Sequence, residues 1–240
     1  MGRSDAIAAV AALVGEPARA AMLDALLGGR SLPAGALASA AGVSAATASG
    51  HLARLLEGGL VRAEWQGRER RFELAGPAVA EVLEVLGELA GPAEPARTLR
   101  AASRMEALRA ARTCYDHLAG RLGVAVTGAL VDDGWLDDGD GGYAVTAGGE
   151  RRFAALGIDV AELRRLRRPL TRRCVDWTER RPHVAGSLGA ALAARALELG
   201  WVARVPHDRA LDVTEAGERA LRRRLGLDLA AQPLTSRQAV

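Results

Sequence analysis

At 240 residues the chain exceeds one average domain and is long enough to bury a substantial core, which bounds it at one or two domains. Hydrophobic residues at 49% and charged residues at 25% exclude extensive disorder. A net charge of +3, with 32 arginines and no lysine, points only weakly to a polyanionic partner, so any such case must come from a site.

Arg3, the apolar run Ala6–Val14 and the small triplet Ala18-Arg19-Ala20 have the look of a secretory signal, but Asp5 and Glu16 flank the run closely and an amphipathic helix comes next. Two soluble helices are expected there. No apolar run reaches the ~20 residues a bilayer span requires, so no membrane partner is expected. Two cysteines without an export signal imply a reducing cytoplasm.

From Pro17, PARAAMLDALLGG sets Ala20, Leu23, Leu26 and Leu27 on one helical stripe, with Gly28-Gly29 as its stop. A short helix in PAGALASAAG ends at Gly42, and Ser44 caps a third, SAATASGHLARLLEGG, with Leu52, Leu55 and Leu56 inward. Two helices joined by a Gly-Val-Ser turn have helix-turn-helix geometry. LVRAEWQGRERRFEL then reads as two alternating strands about Gln66-Gly67-Arg68, with Arg68, Arg70 and Arg71 crowded at the tip: a basic wing.

VSAATASGHLARLLEGGLV with GRERRFEL resembles the ArsR/SmtB winged helix-turn-helix repressors over roughly residues 5–90. The resemblance implies a DNA-binding domain at 1–90, with Ser44, Ala46, Thr47, Ser49, His51 and Arg54 facing double-stranded DNA and Gln66, Arg68 and Arg70 in the wing. For His51 a bond to a phosphate or to a neighbouring side chain is the competing role, and for the arginines a merely solvated hairpin. Two features depart from the family's metal-sensing members. ALASAAG lacks their Cys-x-Cys pair, and PAVAEVLEVLGELAG offers Glu81, Glu84 and Glu88 but no His, so no metal is expected at the usual positions. Val79, Val82, Leu83, Leu86 and Leu89 on that last helix suit a dimer interface or packing on the C-terminal region.

GPAEPA at 91–96 reads as a linker within a connecting segment at 91–111, and beyond residue 111 the chain repeats itself. Arg-x-Cys-x-Asp occurs at 112–116 and 172–176, His-x-Ala-Gly-x-Leu-Gly at 117–123 and 183–189, Gly-Trp at 134–135 and 200–201, and Val-Thr-x-x-Gly-Glu-Arg at 145–151 and 213–219. The region 112–228 is therefore an internal duplication, repeat 1 at 112–159 and repeat 2 at 172–228, before a flexible tail at 229–240. The expected fold is mainly α with small β-hairpins (α+β), each copy running helix, helix, hairpin, helix, a degenerate winged-helix half without a recognition helix. Thr146 and Thr214 cap the last helices.

Pseudo-twofold symmetry would bring Cys114 and Cys174 together, with His117, His183, Asp116 and Asp176 as neighbours. Three readings stand. The thiols are small buried hydrophobes, with the His and Asp residues capping or bridging. Or Arg112, Tyr115, Trp177 and Arg180 join them in lining a pocket for a small-molecule effector. Or Cys114, His117, Cys174 and His183 form a zinc or thiol-redox site, although the sequence requires no cofactor.

The combined expectation is a cytoplasmic homodimeric repressor that binds an imperfect palindrome and responds through its C-terminal region. The alternative is an enzyme or a metal or thiol-redox sensor built on the repeat, but neither a nucleophile elbow nor a phosphate-binding Gly loop supports an enzyme.

Overall fold

The computed structural model describes residues 2–90, 98–206 and 208–229. The linker expected at 91–96, His207 and the tail from 230 onward lie outside them. The chain divides into two compact units, one formed by Met1–Leu89 with Pro206–Arg209, the other by the remainder. Among the described residues no single helix is long and apolar enough to cross a membrane.

In the first unit α1 (Arg3–Val14) is succeeded by α2 (Pro17–Leu26), which opens with Pro17 at its first turn and the Glu16 carboxylate accepting from the Ala18 and Arg19 N–H groups. Arg19 reaches back to the carbonyls of Leu13 and Ala12, both at 2.7 Å, and satisfies the end of α1. After β1 (Leu32–Pro33), α3 (Ala34–Ala41) stops at Gly42, whose φ of 65° is the left-handed conformation a helix end favours. Ser44 then caps α4 (Ala45–Glu57). Met22, Leu23, Leu26, Leu37, Leu52 and Leu55 form the core where α2, α3 and α4 pack. β2 (Val61–Gln66) and β3 (Glu69–Leu74) pair antiparallel, β1 adds to β3, and α5 (Pro77–Ala90) closes the segment.

The second unit begins with α6 (Leu99–Ala110). The first copy is β4 (Arg112–Cys114), β5 (His117–Ala119), α7 (Gly120–Asp132), β6 (Leu136–Gly139), β7 (Gly142–Val145) and α8 (Ala147–Ala155), with α9 (Val160–Arg164) after it. The second is β8 (Arg172–Val175), β9 (Pro182–Ala185), α10 (Gly186–Glu198), β10 (Val202–Arg204), β11 (Leu211–Val213) and α11 (Glu215–Leu225). The mainly α architecture with small hairpins holds, but the order inside each copy is hairpin, helix, hairpin, helix. The leading helix expected from the sequence is a β-hairpin in both copies. Every residue of β4 and β5 is buried, so neither strand shows the alternation that betrays a half-exposed strand. Tyr115, at φ 58°, turns the chain where a helix would have continued.

The repeated letters have matching physical roles. Thr146 and Thr214 each cap a helix by accepting from the N–H three residues on, at 2.8 and 3.0 Å, and donate to the carbonyls of Gly134 and Gly200. A Cβ added at Gly149 or Gly217 would lie 2.0 Å from the carbonyl oxygen of Trp135 or Trp201, so the helix reaches its hairpin only because both residues lack a side chain. Trp135, edge-on to Phe153 at 5.1 Å, Leu130, Leu136 and Leu188 centre a core shared by both copies.

Gly149→Ala and Gly217→Ala are each expected to lower the stability of this unit by about 1–3 kcal/mol through overpacking against rigid backbone. Gly128→Ala, where an added Cβ meets nothing within 4 Å, is expected to raise it by up to ~1 kcal/mol. Urea unfolding monitored by circular dichroism separates them; equal effects at all three sites would remove the close-approach explanation.

Candidate functional site

On α4, Ser44 Oγ accepts the Thr47 N–H and lies 2.9 Å from the Thr47 hydroxyl, holding both at the helix start. Ala46, Thr47, Ser49 and Arg54 are exposed along with Ser44. His51 is placed otherwise. Its Nδ1 lies 3.3 Å from the Glu16 carboxylate and its side chain is only 16% exposed, so it braces α4 against the start of α2.

Gln66, Arg68 and Arg70 are exposed at the tip of the β2–β3 hairpin, with Arg70 over the Phe72 ring at 5.3 Å. The third arginine of the run is spent inside the fold: Arg71 donates to the Ser31 hydroxyl and carbonyl and to Glu69. Directly across from Arg70 stands Trp65, 71% exposed, which sequence reasoning did not single out. Its signal was available, as an aromatic that continues the apolar Val61–Ala63 face of the strand out to the wing tip.

In the C-terminal unit β4 and β5 place Cys114 directly opposite His117 across the Tyr115-Asp116 turn, and β8 and β9 place Cys174 opposite His183 across a longer loop. The copies interlock, α7 packing on β9 and α10 on β5. Thr127 fastens them: its hydroxyl donates to the Gly123 carbonyl at 2.8 Å and accepts the Val184 N–H at 2.9 Å. Gly189 allows the close approach, since a Cβ there would sit 3.2 Å from the Cβ of His117.

The interlock brings the two thiols to 3.7 Å and the two imidazole centroids to 5.1 Å. One donor atom from each of Cys114, His117, Cys174 and His183 lies within 4.8 Å of all the others, and all four residues are buried. His117 Nδ1 faces the Asp116 carboxylate at 3.4 Å, and Arg168 holds that carboxylate from its other side at 2.5 Å. Neither His117 Nε2 nor either ring nitrogen of His183 has a hydrogen-bond partner. Burial opposes the charged imidazolium of His117, but Asp116 and the Cys174 sulfur outweigh it and raise its pKa. The Cys174 thiol is pushed well below its ordinary range, first by the Cys114 thiol donating to it, against burial, with both imidazoles adding to the effect.

A family model described as a helix-turn-helix domain matches residues 14–64. The uncharacterized HTH-type transcriptional regulator YdfF of Bacillus subtilis (strain 168) is 40% identical over 223 residues, covering 93% of this chain and 98% of that protein. The chain belongs to the helix-turn-helix transcriptional regulators. Among solved structures, NolR from Sinorhizobium fredii is 27% identical over 38% of the regulator and 89% of its own chain, at a TM-score of 0.35. The homodimeric winged helix-turn-helix domain of Mb0332 from Mycobacterium bovis, described as a possible ArsR-family regulator, is 32% identical over 36% of the regulator and 80% of its own chain, at 0.34.

Of the other residues read as a pocket, Arg112, Asp176 and Trp177 come together in the regulator's structure as a buried cluster. Arg112 is fully buried, 2.8 Å from Asp176. It also donates to the Leu108 carbonyl and stacks on Trp177 at 4.8 Å. Asp176 accepts in addition from the N–H groups of Gly120, Thr178 and Glu179. Burial alone would raise the Asp176 carboxyl, but the Arg112 charge and these donors hold it far below the usual carboxylate range. Arg112 is thus committed to the fold and closed to an anionic ligand. Tyr115 is half-buried and Arg180 exposed; they are the two non-glycine residues with positive φ among those described, one in each loop of the Cys–His hairpins.

Arg112→Ala is expected to destabilise the C-terminal unit by about 3–5 kcal/mol, because it strands a buried carboxylate. Arg112→Ala/Asp176→Asn should recover a substantial part, since the amide oxygen still accepts from the backbone without a charge. Equal losses in the single and double variants during urea unfolding would show that charge is not the deciding factor.

Proposed function

We propose that this DNA-binding transcriptional regulator is a cytoplasmic homodimeric repressor that recognises an imperfect palindrome through α4 and the β2–β3 wing, and that its duplicated C-terminal unit serves effector response. The observation that carries the reading is the pairing of exposed Ser44, Thr47, Ser49 and Arg54 on one capped helix with exposed Gln66, Arg68 and Arg70 on the adjoining hairpin. Hydroxyls and guanidinium groups suit phosphates and base edges. Val82, Val85, Leu86 and Leu89 stand exposed on α5, an apolar surface that a second copy would cover, and two symmetry-related α4 helices then call for half-sites about one helical turn apart.

Fluorescence anisotropy on duplexes tiling the DNA upstream of the gene tests the reading. One palindromic tile should bind at least ~10³-fold tighter than a scrambled duplex. Arg68→Ala/Arg70→Ala should weaken that binding roughly 10- to 100-fold and reduce the salt slope by about 2. Wild-type affinity in the double variant would remove the wing from the interface, and equal affinity for the scrambled duplex would remove the specific operator. Val85→Glu/Leu89→Glu is expected to sediment as a folded monomer; an unchanged dimer would place the interface elsewhere.

A further inference from the structure

We propose that Cys114, His117, Cys174 and His183 form a closed tetrahedral site for one Zn(II) ion, which clasps the two copies of the C-terminal repeat. The site lies wholly within that unit and is tested without DNA, so it stands or falls apart from the repressor reading.

Geometry is the first argument. Two sulfurs bound to zinc at about 2.3 Å and the tetrahedral angle lie about 3.8 Å apart. The thiols stand at 3.7 Å. With the whole quartet inside 4.8 Å, the imidazole nitrogens need to close by roughly an ångström, within reach of side-chain rotation. A disulfide fits less well. It requires the sulfurs to approach to about 2.05 Å and engages neither imidazole, leaving buried nitrogens of His117 and His183 still without partners. A zinc ion would take one nitrogen from each ring.

Charge is the second argument. Two thiolates and two neutral imidazoles around a dication sum to zero, so the filled site can be buried without an uncompensated charge. A monovalent soft cation would leave one negative charge inside, which favours a divalent ion, and the S₂N₂ donor set favours zinc among those. On binding, both thiols release their protons to solvent. Asp116 supplies the outer support: accepting from Nδ1–H of His117, it leaves Nε2 as the metal-binding nitrogen and is itself fixed by Arg168. All four ligands come from the protein and all are buried, which is the pattern of a structural rather than a catalytic zinc.

The test uses the full-length protein, purified without an affinity tag under reducing conditions and stripped with a chelator. Titration with Co(II) should give the visible bands of tetrahedral cobalt together with a thiolate charge-transfer band, saturating at about one ion per chain. Zn(II) should displace the cobalt and raise the urea midpoint of the C-terminal unit. Cys174→Ser and His183→Gln should each lose the wild-type spectrum. Asp116→Asn, a positioning variant, should keep the spectrum while binding roughly 10- to 100-fold more weakly. Octahedral cobalt, or no uptake by stripped wild-type protein whose circular dichroism is unchanged, would overturn the proposal whatever the variants do. Loss of two hydrogens by mass on mild oxidation, with no metal uptake by the reduced form, would overturn it in favour of a redox pair.

Discussion

Arg112 and Asp176 meet where neither is reached by water, one at the start of each copy, and the C-terminal unit is arranged around keeping that pair satisfied. A buried guanidinium opposite a buried carboxylate is tolerable when most of the remaining hydrogen-bonding capacity is also filled. On the guanidinium side the Leu108 carbonyl, the Thr178 hydroxyl and the Trp177 face take up most of it, Nε alone having no hydrogen-bond partner. The N–H groups of Gly120, Thr178 and Glu179 fill it on the other. Those partners fix where α6 ends, where α7 begins and how the 176–181 loop folds. The adjoining strands then have little freedom, and the Cys–His pairs they carry converge as a result.

The DNA-binding unit works by the opposite economy of polar groups. Its buried interior is mainly aliphatic, and its polar side chains divide between bracing and reach. Arg19 closes the end of α1, Arg71 ties β3 to Ser31, and His51 leans on Glu16. The hydroxyls of α4 with Arg54, Arg68 and Arg70 remain outward. Two arginines one position apart thus have different roles, because successive residues of a strand face opposite sides.

This division marks what was legible in the sequence. Caps and stops were, because they depend on near neighbours: Ser44, Thr146, Thr214 and Gly42 act within a few residues of themselves. The meeting of Cys114 with Cys174 was legible through the repeat, which carries long-range information that periodicity lacks. Partnerships across distance were not. Nothing local tells Arg112 that its carboxylate lies 64 residues ahead, so it read as a ligand contact. Nor does anything local tell His51 of Glu16. The leading hairpin of the first copy was missed for a related reason, since strands three residues long and buried on both faces carry no pattern to detect.

The interlock of α7 on β9 and α10 on β5 also has a kinetic meaning. Neither copy can complete its own packing, so the first stays uncovered until roughly sixty further residues have been synthesised, several seconds at ordinary translation speeds. Closure of such distant contacts slows folding relative to the local helices of the N-terminal unit. During that interval Cys114 stands on an unsealed hairpin, open to solvent, whereas in the finished unit it is among the least accessible side chains. The thiol's exposure to oxidants is therefore greatest on the ribosome and falls when the second copy arrives.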